Sequence, residues 1–311
     1  MKHFHFIVFS FIIVTGWLLS VSVFPATVQG QEWNVRDHIP LDQFTIQCHR
    51  GAGNLSPENS LEAFEIAWNL ATIPEADLRL TKDRVIVAFH DNNFKRILPN
   101  ASEEVQKQGI ADLTLDEVKK LDIGIWKGEQ FAGQRVATLR EVCDVLKKYP
   151  KRQIYIDIKK VDFVQLARET EGVHPQLILA SSNHEEIKQW KKLAPKSFTL
   201  HWMGAAEEKL TERLNQLEKV QFDAIDQLQI HVNINNNKEG QFSPSDDFLR
   251  KTGERLRGYG ILFQTLPWNG NDPKIYQRLL DLGVASFATD FPDVTIDAVR
   301  NYYGQSGKKP Q

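Results

Sequence analysis

Three kinds of reactive side chain lie close together between residues 49 and 91 of this sequence. His49 and His90 each follow a short apolar run, Arg50 comes directly after His49, and another apolar run carries Glu75 and Asp77. Imidazoles transfer protons near neutral pH, paired carboxylates bind a hard cation, and a guanidinium can grip phosphate oxygens. We therefore predict a site at which a metal ion, two proton-transfer groups and a phosphate meet.

The metal ligands are predicted from strand geometry. Glu75 and Asp77 are two residues apart, so on a strand their side chains project from one face and can bind one ion. Asp157 interrupts the apolar run Ile154–Ile158, where a buried charge is costly unless a cation compensates it. Ligands that are all oxygen favour one divalent cation, Ca²⁺ or Mg²⁺, over zinc. Two alternatives stay open: Glu75 and Asp77 are solvated carboxylates on an edge strand, and Asp157 forms a salt bridge with Lys159.

The two histidines are predicted to be catalytic. His49 and His90 lie at strand ends, the position from which barrel enzymes present their catalytic groups. One would deprotonate the attacking oxygen and the other, as imidazolium, would protonate the departing alkoxide, and the sequence does not assign these roles. Arg50 and Lys159 are predicted to bind the phosphate, the first through its planar fork and the second as a point charge. Asp91 either orients His90 or is a turn residue.

The spacing of these residues resembles the glycerophosphodiester phosphodiesterase family, over about residues 44 to 300. The resemblance rests on His49-Arg50-Gly51, Pro57-Glu58-Asn59, Glu75-x-Asp77, His90-Asp91, Leu121-Asp122-Ile123-Gly124, Phe131-Ala132-Gly133, Thr138-Leu139-Arg140-Glu141-Val142, Asp157-Ile158-Lys159 and Ala288-Thr289-Asp290-Phe291-Pro292. It implies a (β/α)8 TIM-type barrel with an insertion, residues 92–137, over the C-terminal mouth. It also implies metal-dependent hydrolysis of glycerophosphodiesters to glycerol 3-phosphate and an alcohol. Asp157 stands where the family usually has Glu, whose side chain is one methylene longer.

The resemblance and the strand ends suggest further substrate contacts. Similar enzymes line their site at the positions of Glu58 and Asn59, so we expect Asn59 to contact the phosphate. We expect the pocket for the alcohol or glycerol group to be walled by Trp268 with His201, Trp202, Gln227 and His231. The alternative is that these are core aromatic residues and hydrogen-bonded histidines. Gln264-Thr265 stands where similar enzymes carry a Trp-Thr pair, which leaves substrate specificity open.

Short apolar runs that alternate with amphipathic stretches predict parallel strands joined by helices. Nine strands are predicted, over residues 44–48, 75–78, 85–89, 153–158, 176–180, 198–202, 224–232, 261–266 and 285–289. The predicted helices cover residues 60–70, 116–121, 138–148, 183–193, 207–219 and 273–282, and residues 233–247 are predicted to be a loop.

An eight-stranded barrel leaves one of the nine strands outside the regular pattern. Too few residues separate Asp77 from Val85 for a helical crossover, which takes about a dozen. The run 85–89 therefore makes an unusually short crossover or folds back as a hairpin. A hairpin centred on Lys82-Asp83 would place His90 opposite Glu75.

One exported domain is predicted. Lys2, an apolar stretch from Phe4 to Phe24 and small residues before Gln31 indicate a signal peptide at residues 1–30. An uncleaved membrane anchor is the alternative, because about 20 apolar residues can span a bilayer. Residues 31–43 are a lead-in, 44–303 the barrel domain and 304–311 a flexible tail. We expect a periplasmic or extracellular protein, with membrane contact only through a retained leader.

The composition limits the partners. The formal net charge is −2, with no concentrated basic surface in the sequence, so nucleic-acid binding is not expected. We expect a small glycerophosphodiester as ligand and no stable protein partner. Cys48 and Cys143 are predicted to be buried thiols rather than a disulfide.

Two rival functions remain. Phospholipase C-like and sphingomyelinase D-like phosphodiesterases use the same pattern of histidines and carboxylates on a related barrel. A non-catalytic protein that captures phosphodiesters at the cell envelope is the rival from another class. Comparing turnover of glycerophosphocholine with turnover of intact phospholipid distinguishes the expected enzyme from the first rival. Metal-dependent turnover that is lost in both His49→Ala and His90→Ala excludes the second rival.

Overall fold

The computed structural model describes residues 33–235 and 241–304. The predicted leader, residues 31–32 and the predicted tail beyond Gly304 lie outside the described residues. Within the described ranges, no helix is both long enough and apolar enough to cross a bilayer.

Within residues 33–235 and 241–304, ten strands form one sheet that closes on itself. They are β1 Thr45–Cys48, β2 Ile73–Leu80, β3 Ile86–Ala88, β4 Ile154–Ile158, β5 Leu177–Ser181, β6 Phe198–Met203, β7 Gln227–Asn235, β8 Gln241–Ser243, β9 Leu262–Trp268 and β10 Ser286–Thr289. Eight of them pair in parallel in the order β1-β10-β9-β7-β6-β5-β4-β2, and β2 pairs again with β1. The structure is therefore the predicted eight-stranded barrel, with β3 and β8 as antiparallel additions on β2 and β7.

Helices follow the barrel strands along the chain. They are α1 Leu61–Asn69, α2 Glu103–Lys107, α3 Leu115–Val118, α4 Leu139–Lys148, α5 Phe163–Glu169, α6 His184–Leu193, α7 Glu207–Lys219, α8 Asp246–Gly258, α9 Pro273–Asp281 and α10 Pro292–Gly304. Side-chain caps fix where several of them begin. The Ser60 hydroxyl accepts from Ala63 N at the start of α1, and Thr138 with Glu141 forms a capping box at α4.

The ninth predicted strand is β3, and it forms a hairpin with β2 rather than a crossover. Leu78 lies opposite Ala88 and Leu80 opposite Ile86, so the register differs by one residue from that of the predicted turn. The turn has three residues, because Thr81 N donates to Val85 O and Arg84 has a left-handed φ of 64°. Position 90 therefore aligns with position 76, and the predicted pairing of His90 with Glu75 is wrong.

The insertion has an apolar core of its own. Phe94, Ile97, Ile110, Val118 and Ile123 are buried together with residues of β3. The insertion is joined to the loop after β1, where Lys127 Nζ donates to the carbonyl oxygens of Gly53 at 3.2 Å and Ser56 at 2.6 Å. It therefore lies on the same end of the barrel as the loops that follow the strands.

The prediction of a loop over residues 233–247 is wrong at both ends of that range, where the chain forms strand and helix. Strand β7 runs on to Asn235, Gln241–Ser243 pairs back on it, and α8 begins at Asp246. The cysteines follow the prediction: Cys48 and Cys143 are both buried and unbridged.

Candidate active site

A cavity of about 200 Å³ opens at the C-terminal ends of the barrel strands. Fifteen residues line it: Gln47, His49, Arg50, Glu75, Asp77, His90, Asp157, Lys159, Ala180, Leu200, Trp202, Gln229, His231, Leu266 and Trp268. They include ten of the thirteen residues predicted to bind the ion, the phosphate or the alcohol group or to act in catalysis. The other three predicted residues, Asn59, His201 and Gln227, do not line the cavity.

The three predicted metal ligands converge on one point of this cavity. Strands β2 and β4 pair in a register that puts Asp77 beside Asp157, and Glu75 projects from the same face of β2 as Asp77. One carboxylate oxygen from each of the three lies within 4.8 Å of the others. Lys159 Nζ also reaches this group, at 2.6 Å from Asp157 Oδ2 and 3.4 Å from Asp77 Oδ1. The predicted salt bridge between Asp157 and Lys159 therefore exists alongside the carboxylate cluster.

Hydrogen bonds hold two of the carboxylates from behind. Gln47 Nε2 donates to Glu75 Oε2 at 2.9 Å. Asn59 Nδ2 donates to Asp77 Oδ2 at 2.9 Å, and Asn59 Oδ1 accepts from Asp77 N at 2.9 Å. Asn59 is only 1% exposed, and its side chain is placed to position Asp77; its contact with the phosphate stays a prediction.

The charges of this cluster fit a divalent cation. Burial and the neighbouring carboxylates raise the pKa of Glu75 and raise the pKa of Asp157 to about 7, which marks excess negative charge. Burial also acts against the charged form of Asp77, but the charges of His90 and Lys159 and the Asn59 hydrogen bond lower its pKa overall. Asp77 Oδ1 is buried and accepts no hydrogen bond. Three carboxylates beside one ammonium, with one buried oxygen that accepts no hydrogen bond, are a suitable ligand set for Ca²⁺ or Mg²⁺.

His49 is oriented by an acid that follows β10. Its Nδ1 lies 2.7 Å from Asp290 Oδ1, and its ring packs edge-on against Trp268 with centroids 5.6 Å apart. Burial alone would lower the pKa of His49, but the negative charges of Glu75 and Asp290 outweigh it and raise the pKa to about 9. Gly53 allows this arrangement, because a Cβ at its left-handed φ of 56° would lie 2.4 Å from the Asp290 carbonyl oxygen.

His90 has partners on both ring nitrogens. Nδ1 lies 2.7 Å from Asp91 Oδ1, and Nε2 lies 3.0 Å from Arg50 Nη2. Since a guanidinium can only donate, Nε2 carries the lone pair and Nδ1 carries the hydrogen that Asp91 accepts. In this arrangement Nε2 of His90 is the nitrogen that is aligned to accept a proton.

The far wall of the cavity is aromatic. The rings of Trp202 and His231 stack with centroids 5.2 Å apart and an interplanar angle of 4°, and Trp268 meets His231 edge-on at 5.3 Å. Burial, with the nearby charge of His49, lowers the pKa of His231 to about 4, so this wall is uncharged at neutral pH.

Two residues predicted for this wall lie elsewhere. His201 and Gln227 are not in the cavity lining. His201 is 3% exposed, with Nε2 3.5 Å from Arg213 Nη2, and Gln227 accepts from the Tyr155 hydroxyl at 2.8 Å. Successive residues of a strand face opposite sides of the sheet, so His201 points away from the barrel interior because Leu200 and Trp202 face inwards.

Among the residues without a predicted role, three hold side chains in or beside the site: Gln47, Asp290 and Arg96. Gln47 precedes His49 by two residues and thus shares its face of β1, which is a signal the sequence contains. Asp290 directly follows an apolar strand, as His49 does. Arg96 lies in the insertion, and no spacing in the sequence indicates its contacts with Asp91 and Glu58.

A sequence model of the glycerophosphoryl diester phosphodiesterase family matches residues 49–294. Two bacterial relatives illustrate the similarity over most of the chain. A putative glycerophosphodiester phosphodiesterase of Bacillus subtilis is 30% identical over 81% of this chain and 96% of its own length. A glycerophosphodiester phosphodiesterase of Caldanaerobacter subterraneus is 29% identical over 82% of this chain and 97% of its own.

Solved structures show the same fold. A putative glycerophosphoryl diester phosphodiesterase from Silicibacter pomeroyi superposes with a TM-score of 0.65 at 18% identity, over 83% of this chain and 93% of that one. A phosphodiesterase from Oleispira antarctica, solved in complex with the product sn-glycerol-3-phosphate, gives a TM-score of 0.62 at 22% identity, over 86% and 99% of the two chains.

Proposed function

This chain belongs to the glycerophosphoryl diester phosphodiesterase family, and on that premise we propose that it hydrolyses glycerophosphodiesters to glycerol 3-phosphate and an alcohol, with a divalent cation bound by Glu75, Asp77 and Asp157. It is thus a phosphoric diester hydrolase. The Oleispira antarctica neighbour, whose bound product is sn-glycerol-3-phosphate, supports this substrate class.

One observation carries the proposal. The carboxylate cluster and two histidines line a single cavity, and each histidine has a carboxylate within 2.7 Å of its Nδ1. A pure binding site needs no such pair of oriented imidazoles, whereas general acid–base catalysis requires them.

The cation would be held by Glu75, Asp77 and Asp157. When bound there, it neutralises phosphate charge and polarises the phosphoryl oxygens. Gln47 and Asn59 keep two of the ligands in place, because each donates a hydrogen bond to one oxygen of Glu75 or Asp77. Such supporting contacts are typical of metal sites.

Arg50 and Lys159 are positioned to bind the phosphate. Both line the cavity, and their positive charges complement a phosphodiester. Arg50 Nη2 contacts His90 Nε2 at 3.0 Å, and we propose that this nitrogen moves to a phosphate oxygen when the substrate binds. Substrate binding would thereby free the lone pair of His90 at the moment it is needed.

The contacts of the two imidazoles suggest their roles. His90 Nε2 takes the proton from the attacking hydroxyl, that of water or of the glycerol 2-position, as its oxygen bonds to phosphorus. His49, whose charged form is stabilised by Glu75 and Asp290, gives its proton to the alcohol oxygen as the bond from that oxygen to phosphorus breaks. Attack by the 2-hydroxyl would leave a cyclic phosphate, which water opens in a second step.

The substrate and ion are tested together by ³¹P NMR of the products from glycerophosphocholine, after chelation and add-back of Ca²⁺ or Mg²⁺. We expect glycerol 3-phosphate, formed only with a cation present, and much slower formation by His49→Ala or His90→Ala. Turnover of intact phospholipid alone would favour a phospholipase C-like or sphingomyelinase D-like enzyme. Binding of glycerophosphocholine without any product would favour the non-catalytic protein.

We also propose that the protein is exported through the apolar leader at residues 1–30. Mass spectrometry of the protein secreted by its native host tests this. A mature chain that begins at Gln31 supports cleavage, and a retained Met1 supports a membrane anchor.

A further inference from the structure

We infer that Arg96, a residue of the insertion, is a positioning residue for both His90 and Arg50. The inference rests on the proposed function, because it concerns how the insertion aligns the proton acceptor and the phosphate ligand. Arg96 is absent from the cavity lining, so it acts through its neighbours.

Arg96 closes a ring of hydrogen-bonded charged groups. Its Nε and Nη2 donate to the two oxygens of Asp91 at 2.8 and 3.0 Å, and its Nη1 and Nη2 donate to the two oxygens of Glu58 at 2.8 and 2.6 Å. Asp91 holds His90 Nδ1 at 2.7 Å, and Glu58 accepts from Arg50 Nη1 at 3.3 Å. The contact between Arg50 Nη2 and His90 Nε2 completes the ring.

The charges show why a guanidinium is needed at this corner. Glu58, His90 and Asp91 also have the spacing of a metal-ligand group, but the fork of Arg96 already engages all four carboxylate oxygens. Arg96 and Arg50 balance the two carboxylates, so the ring is neutral while His90 is neutral. Contact with both acids raises the pKa of Arg96 and lowers the pKa of Asp91, despite partial burial.

Removal of Arg96 would disturb both partners in the ring. Among the contacts described, Arg50 would then be the one cation still bonded to Glu58. Glu58 would therefore attract Arg50 more strongly and oppose its transfer to the phosphate. Asp91 would lose the two bonds that fix its carboxylate, so His90 would lose its fixed orientation. Small displacements of a catalytic group are costly because reaction depends on alignment.

The insertion holds Arg96 in place. The guanidinium lies over the Trp126 ring, 5.4 Å from its centroid, and the next residue, Lys127, is bonded to the loop after β1. The insertion thus contributes to the reaction through one side chain that bridges the loops after β1 and β3.

The test compares Arg96→Ala and Arg96→Lys with Arg135→Ala. Arg135 is a matched control, because it lies in the same insertion and outside the ring. Its side chain is 44% exposed, and that of Arg96 is 39% exposed. We expect Arg96→Ala to lower kcat on glycerophosphocholine about 10- to 100-fold, with unchanged affinity for Ca²⁺ or Mg²⁺ in calorimetry. Arg96→Lys should recover part of this loss, since an ammonium keeps the charge without the fork.

A second background makes the test specific. Because Arg96 acts partly through His90 and partly through Arg50, the loss in kcat caused by Arg96→Ala should be smaller when His90 is already Ala than in the wild type. The inference is overturned if Arg96→Ala lowers kcat no more than Arg135→Ala does, or if it lowers kcat by the same factor when His90 is already Ala. A loss of cation affinity in Arg96→Ala would also overturn it. If Arg96→Ala does not fold, the kcat of Arg96→Lys provides the test. A kcat below that of the wild type supports the inference, and a kcat equal to that of the wild type overturns it. An inactive wild-type protein would instead refute the proposed function.

Discussion

Replacement of Asn59 tests whether this residue is structural, as its contacts indicate, or a phosphate ligand. Its side chain is 1% exposed and makes two hydrogen bonds of 2.9 Å to Asp77, one to the carboxylate and one from the backbone N–H. Asn59→Ala removes both and leaves a buried N–H and a buried carboxylate oxygen without these partners. We therefore expect a large loss of stability and of cation affinity.

The magnitude follows from these contacts. A hydrogen bond to a charged group contributes about 1.5–3 kcal/mol, and an orphaned buried N–H costs about 1–3 kcal/mol. Asn59 also has a left-handed φ of 57°, a conformation that costs Ala about 1 kcal/mol and glycine almost nothing. We expect Asn59→Ala to lower the free energy of unfolding by about 4 kcal/mol, and Asn59→Gly by about 3 kcal/mol.

The assay is equilibrium unfolding in urea with a chelator present, followed by tryptophan fluorescence, with cation affinity measured separately by calorimetry. Affinity should fall about 10- to 100-fold in both variants, because Asn59 orients the ligand Asp77. The reasoning is refuted if Asn59→Ala unfolds within about 1 kcal/mol of the wild type. It is also refuted if the change raises only KM, which is the signature of a phosphate contact.

Three further changes test other parts of the site. Asp157→Asn should weaken cation binding about 100-fold or more. Because folding raises the pKa of Asp157 to about 7, the free energy of unfolding of the wild type in chelator should fall as pH rises from about 4 to 7. The Asp157→Asn variant should lack this pH dependence. His49→Ala and His90→Ala should each lower kcat about 10²- to 10⁴-fold, with cation affinity unchanged in calorimetry. Gly204→Ala places a Cβ 2.8 Å from His231 Nδ1, so it should displace that ring and raise KM for glycerophosphocholine more than it lowers kcat.

Each of these has an outcome that contradicts it. Cation affinity equal to the wild type would remove Asp157 from the ligand set, and full activity of either histidine variant would remove that histidine from the mechanism. Gly258→Ala is the control for Gly204→Ala, since a Cβ there meets nothing within 4 Å. Equal KM values in the two glycine variants would show that the position of His231 does not affect substrate binding.

The carboxylate cluster could be predicted because strand geometry is local. The two-residue period fixes Glu75 and Asp77 on one face, and a lone acid in an apolar strand singles out Asp157. Parallel pairing of β2 with β4 then puts Asp77 beside Asp157. The alternation of apolar runs and amphipathic stretches predicted parallel strands joined by helices, and the resemblance to the family implied that they close into a barrel.

The failures have a different physical origin. The role of Asn59 depends on a left-handed backbone and on Asp77, which is distant in sequence. The hairpin register depends on whether the turn has two or three residues, which the left-handed φ of Arg84 decides. Arg96 reaches the site only because the insertion folds back on the barrel, and such long-range packing has no local pattern.

The central claim is that Glu75, Asp77 and Asp157 bind the cation that hydrolysis requires. Anomalous diffraction from crystals grown with Mn²⁺ measures the position of that cation directly. We predict one strong peak, with carboxylate oxygens of all three residues at about 2.0–2.6 Å. A peak between Glu58 and Asp91 with Arg96 displaced, or full activity in crystals and solution without a peak at the predicted position, would contradict the account.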